Sequence, residues 1–159
     1  MSMDSTVVVG VIAAAAALGG YLLSNAAARR TERARRYAEA LDVVERYRQL
    51  PYTFLWLHDD TAETRKKLAE MLGDTQQTLS FHRRWLTLES PELGAAYDNL
   101  VDKVRERNSG FRKDALSRPA PAADVDIEAG SIYTFDDRAE RLACIHLMRK
   151  HLRLFRNLL

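Results

Sequence analysis

The chain has one cysteine, Cys144, in 159 residues, so no internal disulfide can form and a reducing compartment is acceptable. Its four histidines, His58, His82, His146 and His151, include no pair four residues apart and no HExxH, the spacings that put zinc ligands on one helix face. Glycine-rich phosphate loops, GxSxG and paired carboxylates with room for acid–base work are also missing. Enzyme chemistry is therefore not expected: no catalytic residue, cofactor or metal is assigned. His82 falls on an apolar stripe and reads as a core histidine, and Cys144 as an inert buried thiol. Phe81-His82-Arg83-Arg84-Trp85 mixes bases with aromatics, but a nucleic-acid groove needs a continuous basic surface, and the net charge is only +2.

Charge is missing altogether from one long stretch. Ser5 to Ala28 is a run of 24 residues without a charged side chain. As a helix it would extend roughly 36 Å, against about 30 Å of bilayer hydrocarbon. Val7, Val8, Val9, Val11, Ile12, Leu18, Leu22 and Leu23 would supply roughly −2 to −5 kcal/mol of insertion energy, a moderate anchor. Asp4 precedes the run, and Arg29, Arg30, Arg33, Arg35 and Arg36 follow it with Glu32 alone among them. The positive-inside rule then puts the amino end outside and everything after residue 28 in the cytosol. A cleaved signal peptide would need a basic start, which is missing. A buried alanine-rich helix of a soluble protein is the third reading. Small residues four apart, Ala15 with Gly19 and Ala16 with Gly20, would allow close helix approach in lipid, though an alanine run satisfies that spacing almost anywhere.

Beyond the run, charge comes in alternating blocks. Residues 29–36 hold five arginines against one glutamate, 119–137 hold five acids and no base, and 138–159 hold six bases against Glu140. This suits basic faces near anionic lipid, separated by an acidic linker. Arginine outnumbers lysine 19 to 5, a composition associated with GC-rich bacterial or phage genomes.

The periodicities predict helices throughout. Residues 29–48 lack glycine and proline and continue the first helix, with Ala34, Tyr37, Leu41 and Val44 as its apolar stripe and Pro51 ending or kinking it. Asp60 and Glu63 have the form of a capping box for a helix running to about Leu88. Its seam is Leu68, Leu72, Thr75, Leu79, His82 and Leu86, a heptad spacing. Ser90-Pro91 starts the next helix, whose seam is Leu93, Tyr97, Leu100, Val104, Arg107 and Phe111. A turn of two or three residues makes these two an antiparallel hairpin. A linker follows over 117–133. The last helix begins near Thr134, with Asp137 in a second capping box. Its wheel sets Ile145, Leu147, Met148, Leu152, Leu154, Phe155, Leu158 and Leu159 opposite Arg149, Lys150, Arg153 and Arg156.

The expected architecture is all-α: a single N-terminal transmembrane helix followed by a small cytosolic antiparallel helical bundle. The expected segments are an anchor over 1–28, a bundle over 29–118, an acidic Pro/Ala-rich linker over 119–133 and a basic amphipathic helix over 134–159. Expected interaction residues are Tyr52, Phe54, Trp56, Trp85, Leu152 and Phe155. Arg29, Arg30, Arg33, Arg35 and Arg36 are the expected lipid-headgroup contacts. Expected partners are membrane lipid and a second copy or another membrane protein, at the cytoplasmic membrane. The expected function is a non-enzymatic interaction module. The alternative is a small bacterial or phage factor that acts on the membrane itself, in defence, toxicity or superinfection exclusion.

Overall fold

The computed structural model describes residues 5–56, 61–117 and 134–154, without the side chains of 5–9, 11–15, 56, 116 and 154. The described residues form four helices and no strand: α1 (Ser5–Trp56), α2 (Ala62–Glu89), α3 (Pro91–Ser117) and α4 (Arg138–Leu154). The chain divides into two compact units, Ala38–Met148 and Met1–Tyr37 with Arg149–Leu159.

The larger unit is a four-helix bundle. Ser90 alone connects α2 to α3, a tighter turn than the sequence suggests. Its backbone N–H closes α2 on the Leu86 carbonyl at 2.9 Å, and its Oγ accepts from the Leu93 N–H at 3.4 Å, with Pro91 as the first helical residue. Contacts mirrored about Ser90 make the pair antiparallel: Arg83 binds Asp98 and Asp102, and Thr87 meets Gly94. On α1, Ala40 pairs with Tyr97 and Tyr47 with Asn108, so α1 runs parallel to α3. Glu45 pairs with Arg141 and Arg48 with Asp137, so α4 runs antiparallel to α1. The order is up-down-up-down, with the core at the common axis.

That core differs from the predicted stripes in informative ways. α1 buries Tyr37, Ala40, Val43, Val44, Tyr47, Leu50, Phe54 and Leu55, whereas Ala34 is exposed and Leu41 half-buried. On α2, Leu68, Leu79, His82 and Leu86 are buried as expected, and Leu72 and Thr75 are half-buried. α3 buries Leu93, Tyr97, Leu100, Val101 and Val104 but then Asn108 and Ala115, leaving Arg107 exposed. A straight helix drifts about 20° per heptad from a strict seven-residue seam, so two heptads on from Leu93 the drift reaches about 40° and the buried side passes from Arg107 to Asn108.

Two helix starts also move. The side chain that caps α2 is Thr61, whose Oγ1 accepts from the Thr64 N–H at 3.2 Å, one residue beyond the expected cap; Asp60 lies outside the described residues. α4 starts at Arg138, not near Thr134, and Asp137 is its N-cap: the Asp137 carbonyl accepts the first helical bond, from the Arg141 N–H at 3.0 Å. The sequence places the better signature there, Asp137 followed by Glu140.

Pro51 does not end the helix: α1 continues through it to Trp56. A proline deprives the carbonyl four residues earlier of its donor. Here that carbonyl belongs to Tyr47, and the buried Asn108 side-chain amide donates to it from α3. The tertiary bond replaces the missing helical one.

Candidate functional site

In the smaller unit, α1 presents apolar side chains with nothing described over them. Leu18, Tyr21, Leu22 and Leu23 are 53–67 % exposed. At 100° per residue they spread over roughly 200° of the helix circumference, wider than a single stripe. Ordinary soluble helices bury one stripe and expose a polar one. Among the described residues, no helix is long and apolar enough to cross a membrane. The side chains of Val7, Val8, Val9, Val11 and Ile12, which carry most of the expected insertion energy, lie outside the described residues.

The arginines follow at once. Thr31 Oγ1 donates back to the Ala27 carbonyl at 3.1 Å, so the helix crosses from apolar to charged sequence without a break. Glu32 accepts from Arg35 at 2.7 Å and from Arg36 at 2.9 Å. These two guanidinium groups hold the Glu32 carboxyl down at about 2, against an ordinary 4.5. The carboxylate therefore stays ionised at any physiological pH and offsets part of the arginine charge. Arg29, Arg30 and Arg35 are exposed; Arg33 and Arg36 are half-buried. The arrangement can hold phosphate or carboxylate groups around the helix, with long stems lying along apolar surface.

The aromatic segment around Pro51 is mostly core. Leu50, Pro51, Phe54 and Leu55 are buried, and Tyr52 is half-buried. Trp85 and Leu152 are half-buried. The Trp56 side chain and Phe155, like the 119–133 linker, lie outside the described residues. His82 and Cys144 are both buried, as their positions on apolar stripes predict. Burial pushes the Cys144 thiol up to about 11, away from the thiolate form that nucleophilic chemistry needs. Among the described residues no cluster of His, Cys, Asp and Glu could hold a metal ion.

One polar constellation escaped the sequence reading. Asp137, nearly buried, faces Arg141 at 3.0 Å and Arg48 at 3.6 Å, and Glu45 faces the same two arginines at 3.3 and 2.9 Å. The four groups close a ring of alternating charge with zero net charge. Arg48 also lies 4.8 Å above the Phe135 ring, which meets Phe111 edge to face at 5.1 Å. With α1, α3 and the entry to α4 all tied there, the ring has a structural role. It was missed because its two halves, Glu45 with Arg48 and Asp137 with Arg141, are 89 to 96 residues apart in the chain, and the acidic stretch ending at Asp137 reads as solvated linker.

No protein-family model matches the chain, and no curated protein or solved structure matches it significantly.

Proposed function

We propose that the chain is a non-enzymatic helical interaction module held at the cytoplasmic membrane by residues 5–28 as a single-pass anchor. In this reading the amino end lies outside and the bundle in the cytosol. Its partner is a second copy or another membrane protein, and it takes no cofactor. The observation that carries the reading is the belt of exposed Leu18, Tyr21, Leu22 and Leu23 on an uncharged stretch that passes directly into five arginines. Covering a large apolar side chain is worth about 1.5–3 kcal/mol, so an exposed belt this wide favours an apolar surrounding. Arginines beside such a belt favour the anionic cytoplasmic leaflet, at about 1 kcal/mol each near the surface. Confinement to that leaflet raises the effective concentration for anything else held there.

Alkaline carbonate extraction of cell membranes tests the anchor. The full chain is expected to stay in the pellet and a Leu18→Arg, Leu22→Arg variant to be released. Release of the unaltered chain overturns the anchor. Orientation is read separately in a Cys144→Ala background with Ser2→Cys or Ser109→Cys. An impermeant maleimide should label Ser2→Cys on intact cells and Ser109→Cys only after permeabilisation; the reverse pattern overturns the topology.

A further inference from the structure

α2 carries a second apolar stripe beside the one it buries against α3. Leu79, His82 and Leu86 face the core. Roughly 100° round the helix lie Thr78, Phe81, Trp85 and Leu88, spaced 3, 4 and 3, the repeat of a coiled-coil seam. Phe81 is 59 % exposed and Leu88 86 %, the most exposed large apolar side chain among the described residues; Trp85 is half-buried between them. The stripe buried against α3 is enough to join α2 to the bundle, and Phe81 and Leu88 lie exposed beside it.

We infer that this stripe pairs with the same stripe of a second copy, the two α2 helices running parallel. The inference rests on the reading of the chain as a tethered, self-associating module. In a parallel pair the layers match themselves, Phe81 on Phe81, Trp85 on Trp85 and Leu88 on Leu88. Arg84 and Glu89 flank the stripe on opposite sides, five residues apart. That is the offset at which the side chain before one core layer meets the side chain after the next layer of the partner helix. Arg84 of each copy therefore faces Glu89 of the other, twice by symmetry. Asp74 continues the seam toward the start of α2 and would face its own copy, so the pairing stops there. An antiparallel arrangement would match the stripe too, Phe81 on Trp85 and Thr78 on Leu88, but it brings like flanks together and loses both Arg84–Glu89 pairs.

The test uses the full chain in dodecyl maltoside and in liposomes, in a Cys144→Ala background. Phe81→Cys and Leu88→Cys are expected to form disulfide-linked dimers under mild oxidation and Asn99→Cys, exposed on α3, none. In the chain without added cysteines, Phe81→Glu with Leu88→Glu should cut the dimer at least tenfold by analytical ultracentrifugation while leaving helix content unchanged. A monomeric parent chain, or no disulfide at either position, overturns the pairing. A disulfide between co-expressed Leu88→Cys and Thr78→Cys chains overturns the parallel sense. A chain that resists carbonate extraction but stays monomeric sinks the pairing and leaves the anchor standing. One that extracts freely yet links through Leu88→Cys supports the pairing and sinks the anchor.

Discussion

Asn108 donates to the Tyr47 carbonyl, the one carbonyl in α1 that Pro51 leaves without its helical donor. Both ends are buried, so the bond closes what would otherwise be an unpaired carbonyl in the core. Asn108→Ala should cost about 2 kcal/mol, because an unsatisfied buried group loses its full desolvation energy. Pro51→Ala restores an N–H four residues beyond Tyr47 and gives the carbonyl a local partner. In that background Asn108→Ala should cost about 1 kcal/mol less. Urea unfolding of the four chains, followed by circular dichroism, reads the coupling; additive effects would show that the two residues do not serve the same carbonyl.

The pair also marks the limit of what the sequence discloses. Helical periodicity, the α2–α3 hairpin and the Ser90-Pro91 start are local properties, and each is legible in the residues that form it. Pro51 read locally is a helix stop, and Asn108 read locally is a polar break in an apolar seam. Only together, 57 residues apart, do they make an unbroken helix. The same holds for Asp137, whose three charged neighbours come from two helices. For the candidate site, the uncharged run and its arginines are legible as sequence, because both are properties of composition over one continuous segment. Phe54, expected among the interaction residues, is buried; aromatic density looks the same in a core as on a surface.

Asp137 both caps α4 and balances Arg48 and Arg141. Loss of a cap costs about 1 kcal/mol, and removing one member of a part-buried charge group adds to it. Asp137→Ala should therefore destabilise the bundle by about 2–3 kcal/mol. Asn suits the N-cap position as well as Asp but lacks the charge, so Asp137→Asn should cost about half as much. Unfolding at low and high salt separates the two effects, since only the charge effect is screened. Equal costs for the two variants would remove the charge balance from the explanation.

Gly94 sits where α3 crosses α2 just after the turn. A Cβ there would lie 2.7 Å from the Thr87 Cα, a backbone atom that cannot swing aside. Gly94→Ala should cost about 1–3 kcal/mol, the usual range for overpacking. Adding Thr87→Ala should recover little of it, because the backbone clash persists. Gly73, mid-helix in α2, has nothing within 4 Å of its notional Cβ. Gly73→Ala should instead stabilise by about 0.5–1 kcal/mol through helix propensity alone. Thermal melts of the three variants test the contrast; a neutral Gly94→Ala would show that the hairpin can open without cost.

Alkaline pH should loosen the bundle through two buried groups. Burial pushes the Cys144 thiol to about 11 from 9.0, and burial, aided by Cys144, pushes the Tyr97 hydroxyl well above 10.0. In the unfolded chain both ionise near their ordinary values. Above about pH 9 the unfolded state therefore holds fewer protons than the native one, and stability falls as pH rises. Below pH 9 the contribution is fully present. For Cys144 the fall should run from about 9 to about 11, at no more than about 1.4 kcal/mol per pH unit. Tyr97 extends it upward from about 10. Urea midpoints between pH 7 and 11 should decline in the parent chain, more gently in Cys144→Ala, and more gently still when Tyr97→Phe is added. Tyr97→Phe carries its own pH-independent cost of about 1 kcal/mol, from the lost 3.0 Å bond to the Ala40 carbonyl, so the slope and not the midpoint is the diagnostic. The same burial keeps the thiol unreactive toward a disulfide reagent at pH 8 until urea opens the bundle. Rapid native labelling would place Cys144 outside the core and remove the cause assigned to the slope.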